Sequence, residues 1–266
     1  MEVKTPKEVV HAALEIGAAK VEVSNGRVGR LSVLAMLAGA YIALGGVLSL
    51  IVGFGFPGVT ADNPAMQRLF SGCVFPVGLI LVVVLGAELF TGNNALLVPP
   101  FLGRRCSAME VVKNWTLVYL GNFVGAFAFT YLMVYCCGLT SAEPYHSAIV
   151  KVAEAKVSMP WLTVFLKGVG ANWCVCLAVW LALSGRTLLD KMAGCWFPVM
   201  AFVALGYEHS IANMFFIPLG MMEGADVGVW QSVWASFIPA TIGNIVGGAL
   251  LVGAIHARLH LPSRQR

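Results

Sequence analysis

The chain has 266 residues, of which 59% are hydrophobic and 11% charged, with a mean hydropathy of +0.82. A soluble domain carries roughly 25% charged residues, so this composition excludes an ordinary soluble enzyme and describes a chain built for lipid. The net charge of +4 is modest and no basic run occurs, which excludes nucleic acid as a natural partner.

The chain starts with an amphipathic stretch. "TPKE" at Thr5–Glu8 has the form of a helix start: Thr5 as N-cap, Pro6 in the first turn and Glu8 closing a capping box. Residues 6–22 are predicted to be a helix lying on the membrane surface, within a cytoplasmic segment 1–30. Nine charged residues among the first thirty, without an apolar core and small-residue cleavage site, do not describe a signal peptide.

Apolar runs suited to crossing a bilayer follow at 31–54, 69–101, 115–139, 159–183, 192–222 and 231–257. The second and fifth would span about 50 Å and 46 Å as continuous helices, too long for single crossings. Both are interrupted by glycine and polar residues, as in discontinuous membrane helices. Thirteen Lys/Arg lie on the side of the termini, against three (Arg68, Lys151 and Lys156) in the opposite loops. That bias places both termini in the cytoplasm, including a tail over 258–266. The seven cysteines form no CxxC pair and read as small buried hydrophobes, so no metal or disulfide is expected.

The two interruptions are alike. "GAELFTGN" (Gly86–Asn93) and "GYEHSIAN" (Gly206–Asn213) share Gly, Glu and Asn at the same internal spacing. Upstream, "CVFPV" matches "CWFPV"; downstream, "GNFVGA" matches "GNIVGG". Each repeat holds three spans, an odd number, so the halves enter the membrane in opposite senses. The expected fold of 31–257 is therefore an all-α, aquaporin-like arrangement of six helices in two inverted three-helix repeats, with broken second and fifth helices. Such repeats put a site near the membrane midplane. Glu88, Asn93, Glu208 and Asn213 suit the backbone groups freed at the breaks. New half-helix N-termini, expected near Asn93 and Ala212, would favour anions. The halves differ where Leu89 is replaced by His209, and Thr91 is expected to face that histidine.

"GAELFTGN", "KGVGANWCVCLAVWLALSGR", "DKMAG" and "GYEHSIANMF" together resemble the formate/nitrite transporter family over nearly all of 31–255. The resemblance implies homopentamers with one pore per subunit in a bacterial-type inner or plasma membrane. It implies passage of small monovalent anions, formate first, with nitrite, hydrosulfide and lactate as alternatives, and no enzymatic activity or cofactor. It also implies roles by motif: His209 as central pore histidine with Thr91, and Lys156 and Asn172 as polar, anion-attracting groups. The implied constrictions are Phe75, Leu79 and Phe202 on one side of the histidine, with Leu89, Phe90 and Val175 on the other. On this reading His209 shares a proton with the incoming anion, and Leu89–Asn94 gates about a hinge at Gly92. Lys167 is expected to snorkel or to pair with a glutamate.

Three other classes fit less well. Asn63-Pro64-Ala65 is the tripeptide of water and glycerol channels, but it occurs once and outside the breaks. A haem subunit needs facing deep histidines, whereas His11, His146, His256 and His260 lie at or beyond the ends of the spans. Ser210 beside His209 is no hydrolase dyad, because adjacent helical residues do not face each other, and no GxSxG is present.

Overall fold

The computed structural model describes residues 3–261, so positions 262–266 of the expected tail lie outside the described residues. The capping box forms: the Glu8 carboxylate accepts from the Thr5 N–H at 2.7 Å, and Thr5 Oγ1 accepts from the Glu8 N–H. The Thr5 backbone N–H, aided by its hydroxyl, holds the Glu8 carboxyl below the usual carboxylate range. Helix α1 runs over Pro6–Gly26, four residues beyond the expected end. Its apolar face is covered by the protein itself. Val9 and Ala13 pack with Ala95, Leu96 and Val252, Val10 and Leu14 with Ala257 and Leu261, and Val21 with Leu97.

Helix α2 (Val28–Phe54) leads through a single turn at Pro57–Thr60 to α3 (Pro64–Leu85). After a break come the half-helix α4 (Phe90–Leu96), the short α5 (Val98–Leu102) and the long α6 (Ala108–Tyr135). The surface helix α7 (Tyr145–Ser158) precedes α8 (Trp161–Ser184). Helix α9 (Leu188–Ala204), a second break, the half-helix α10 (Ser210–Met222) and α11 (Val229–His260) complete the chain. No strand occurs among the described residues.

Five helices, α2, α3, α6, α8 and α11, are long and apolar enough to cross a membrane. The fifth apolar run is divided into α9 and α10, of 17 and 13 residues. Their rises of about 26 and 20 Å fall short of a hydrocarbon core of about 30 Å. Helix α2 packs on α3 and α6, and α8 packs on α9 and α11, while α9 and α3 join the two groups. Helix α10 inserts against α2, α6 and α7, and α4 inserts against α8 and α11.

The breaks begin at the two glycines of the repeat. Gly86 has φ +72° and Gly206 φ +69°, a left-handed conformation that an L-residue adopts at a cost. Gly92 does not share it. It lies in the first turn of α4, and a Cβ there would meet Val179 Cγ2 at 3.7 Å, an ordinary contact. At Gly39 the reason for glycine is close approach, since a Cβ would be driven into the Asn122 carbonyl of α6.

These environments separate by experiment. A Cβ at Gly86 meets nothing within 4 Å, so Gly86→Ala should cost only the conformational term of about 1–2 kcal/mol. Thermal unfolding in detergent should show a folded protein of lowered midpoint. Gly39→Ala should shift the midpoint further, and the reverse order would contradict the packing described.

Candidate functional site

Each break is closed by an asparagine from another helix. Asn122 Oδ1 accepts from the Phe90 N–H at 2.9 Å, and its Nδ2 donates to the carbonyls of Ala35 and Glu88 at 2.8 Å each. Asn244 does the same in the other break, accepting from the Ser210 N–H at 2.8 Å and donating to Gly168 O and Glu208 O at 2.8 and 3.0 Å. The half-helices therefore begin at Phe90 and Ser210, earlier than the expected Asn93 and Ala212. Asn122 and Asn244 sit in the matched "GNFVGA" and "GNIVGG" blocks, so the repeat carried the signal that they act as a pair.

The glutamates are held just as firmly. Asn93 Nδ2 donates to Glu88 Oε2 at 2.8 Å and to Asn114 Oδ1 at 3.0 Å. Asn213 Nδ2 donates to Glu208 Oε2 at 2.8 Å and to Ser236 Oγ at 3.0 Å. Each carboxylate also meets a lysine. Lys20 Nζ lies 2.8 Å from Glu88 Oε1, and Lys156 Nζ lies 3.1 and 2.9 Å from the two Glu208 oxygens. Lys20 was not singled out from the sequence. Its signal was a charge on the stripe Ala13, Gly17, Val21 and Ser24 of α1 that the bundle buries.

His209 is the N-cap of α10. Its Nδ1 accepts from the Ala212 N–H at 3.1 Å, so in the neutral ring the proton resides on Nε2, which lies 3.0 Å from Thr91 Oγ1. The two breaks thus meet through an imidazole–hydroxyl contact, with His209 2% and Thr91 0% exposed. The Phe202 ring stacks on the imidazole at 5.8 Å, and Phe75 meets Phe202 edge-on at 5.7 Å.

A cavity of about 230 Å³ lies on the Phe75 side of this site, lined by groups including Arg68, Ser71, Phe75, Lys156, Phe202 and His209. Leu79, Leu89, Phe90 and Val175 are buried in the same core cluster as Phe75 and Phe202, and Phe90 packs edge-on against Tyr119 and Trp115. Lys156 and Asn172 are not brought together. Asn172 is fully buried away from the cavity lining, and its Nδ2 donates to Thr91 O, Asn94 Oδ1 and Asn244 O at 3.2, 3.1 and 2.6 Å. Lys167 reaches Met159 Sδ at 3.4 Å, and its carbonyl accepts from the Glu208 N–H. Asn63 of the single Asn-Pro-Ala tripeptide caps α3, away from either break. Among the described residues no group of three metal-ligating side chains converges.

A family model described as "Formate/nitrite transporter" matches residues 7–258. The chain belongs to the formate/nitrite transporter family. It is 40% identical to a probable formate transporter of Methanothermobacter thermautotrophicus, over 95% of this chain and 96% of that one. A solved FNT family ion channel superposes with a TM-score of 0.86 at 29% identity, covering 95% of this chain and 98% of the other. A solved pentameric formate channel with formate bound gives 0.77 at 32% identity, covering 88% and 98%. The family and its neighbours are transporters and channels, not enzymes, and this member is an integral membrane protein.

The Lys20–Glu88 pair is 15% and 8% exposed, so loss of one partner leaves a charge buried in this transporter-family fold. Lys20→Met should lower stability by about 3–5 kcal/mol, and Lys20→Met with Glu88→Gln should recover much of that loss. Unfolding midpoints of both singles and the double provide the check; additive effects would contradict a direct pair.

Proposed function

We propose that the chain passes small monovalent anions across the membrane, formate first, with nitrite and hydrosulfide as alternatives in the same class. The observation that carries this reading is the His209–Thr91 contact, buried behind the Phe75–Phe202 rings at the inner end of the cavity. The family membership and the formate named in the relatives' descriptions support it.

The rings make a barrier that a bare anion crosses only at a desolvation cost of several kcal/mol. A simple carboxylic acid with a pKa of about 4 is only about one part in a thousand neutral at pH 7. A proton delivered at the barrier therefore matters. Nε2–H of His209 points to where an arriving oxygen would replace or join Thr91 Oγ1. On this reading the anion accepts that hydrogen bond and takes the Nε2 proton, while one from the bulk, entering by the cavity, replaces it on the same nitrogen. The solute passes the apolar segment as the neutral acid. Phe75, Leu79 and Phe202 form the constriction on one side, and Leu89, Phe90 and Val175 form it on the other. Asn172 braces the α4 break from behind, and movement of Leu89–Asn94 gates the path.

In the bilayer we read six crossings, with α9–α10 as the fifth, arranged as two inverted three-helix repeats. The matching hydrogen bonds at the two breaks support that arrangement. The charge bias supports cytoplasmic termini, and the pentamer of the solved neighbour supports a homopentamer here.

The test is flux into proteoliposomes at pH 5 and pH 7 with formate, nitrite, lactate and hydrosulfide. Wild type should carry formate faster at pH 5, because more of the solute is protonated there and more protons reach the barrier. His209→Gln, which keeps a polar group against Thr91 but cannot exchange a proton, should lose at least tenfold of that rise. A mutant with unaltered rate and pH profile would end the proton role. Gly92→Ala should fold normally, since the space exists, and should slow opening; unaltered opening would move the gate elsewhere.

A further inference from the structure

Charge along the cavity can be assigned group by group. Three formally charged side chains line it: Arg68, Lys156 and Glu208. Lys156 and Glu208 form a close pair, with exposures of 14% and 5%. Their combined field is that of a dipole and falls off faster than that of a single charge. Arg68 has no ion pair or hydrogen bond among the described residues. The net charge felt by a solute in the outer cavity therefore comes from one exposed arginine.

Its position suits a recognition role. Arg68 precedes Phe75 by seven residues on α3, nearly two turns and about 10 Å of rise, so both share a helix face. The neighbouring polar groups are occupied: Gln67 Nε2 donates to Ser71 Oγ at 3.0 Å, and that hydroxyl donates to Ser49 O at 2.9 Å. The guanidinium is thus the uncommitted cationic donor on the approach to the rings. Its planar fork matches two oxygens held in one plane, which an ammonium cannot reproduce.

We propose that Arg68 captures the anion in the outer cavity and favours planar two-oxygen monoanions, carboxylate or nitrite, over single-centred ones such as hydrosulfide. This rests on the anion-passage reading above. Capture acts before the barrier, so it sets the half-saturating concentration and leaves the maximal rate to the constriction.

The experiment compares initial flux against anion concentration for wild type, Arg68→Gln and Arg68→Lys, with formate, nitrite and hydrosulfide, at low and high ionic strength. An exposed contact pair of opposite charges changes occupancy about twofold to fivefold. Arg68→Gln should raise the half-saturating concentration by that factor for all three anions at about 0.01 M salt, and the effect should shrink above about 0.1 M, where screening reaches 10 Å. Maximal rates should not change. Arg68→Lys should restore hydrosulfide while leaving formate and nitrite weakened about twofold or more. Wild-type values for Arg68→Gln would overturn capture, and full restoration of all three anions by Arg68→Lys would overturn the selection. Absence of any anion flux in wild type would overturn the passage reading itself, and the assignment of Arg68 with it.

Discussion

A helix broken inside a membrane exposes backbone N–H and C=O groups where no water can take them, and the rest of this structure depends on how those groups are satisfied. One buried asparagine meets each break. An amide suits the task because it carries an acceptor and two donors in one plane. Asn122 and Asn244 each use all three, joining the first N–H of a half-helix to one carbonyl in the break and one on a neighbouring crossing helix. Without that closure neither half-helix would have a defined start, and neither His209 nor Thr91 would have a defined position.

Glu88 and Glu208 add a second requirement. A buried carboxylate is an acceptor only and needs donors and a countercharge. Asn93 and Asn213 supply donors from one turn along each half-helix, and the countercharge comes from outside the crossing helices. Lys20 arrives on α1 and Lys156 on α7. The two amphipathic helices are thereby fastened to the bundle by ion pairs as well as by apolar packing. The cavity in turn receives a neutralised lysine at its inner end, which gives an unpaired arginine near its mouth disproportionate weight.

The difference between the breaks is chemical rather than architectural. Leu89 and His209 occupy the same N-cap position, with similar extended backbones, but only the histidine can accept from its own half-helix. That cap determines which ring nitrogen faces Thr91. The imidazole is held by backbone on one side and by a hydroxyl on the other, with the Phe202 ring stacked on its face. It can present a hydrogen bond to a solute without rotating.

Much of this was legible in the residues themselves. Composition determined that the chain lies in lipid, and the lengths of the apolar runs determined which helices could not be continuous. The repeated Gly, Glu and Asn marked both breaks, and the loss of symmetry at position 209 marked the histidine. These are local properties of segments, which a sequence states directly. Tertiary structure alone decided the pairings: Lys20 with Glu88, Asn172 with the backbone of α4 and α11, and the apolar stripe of α1 with Ala95, Leu96 and Val252. The physical reason is distance along the chain. A pairing between residues many tens of positions apart depends on which helix faces approach each other, and each residue's own neighbourhood carries no record of that approach.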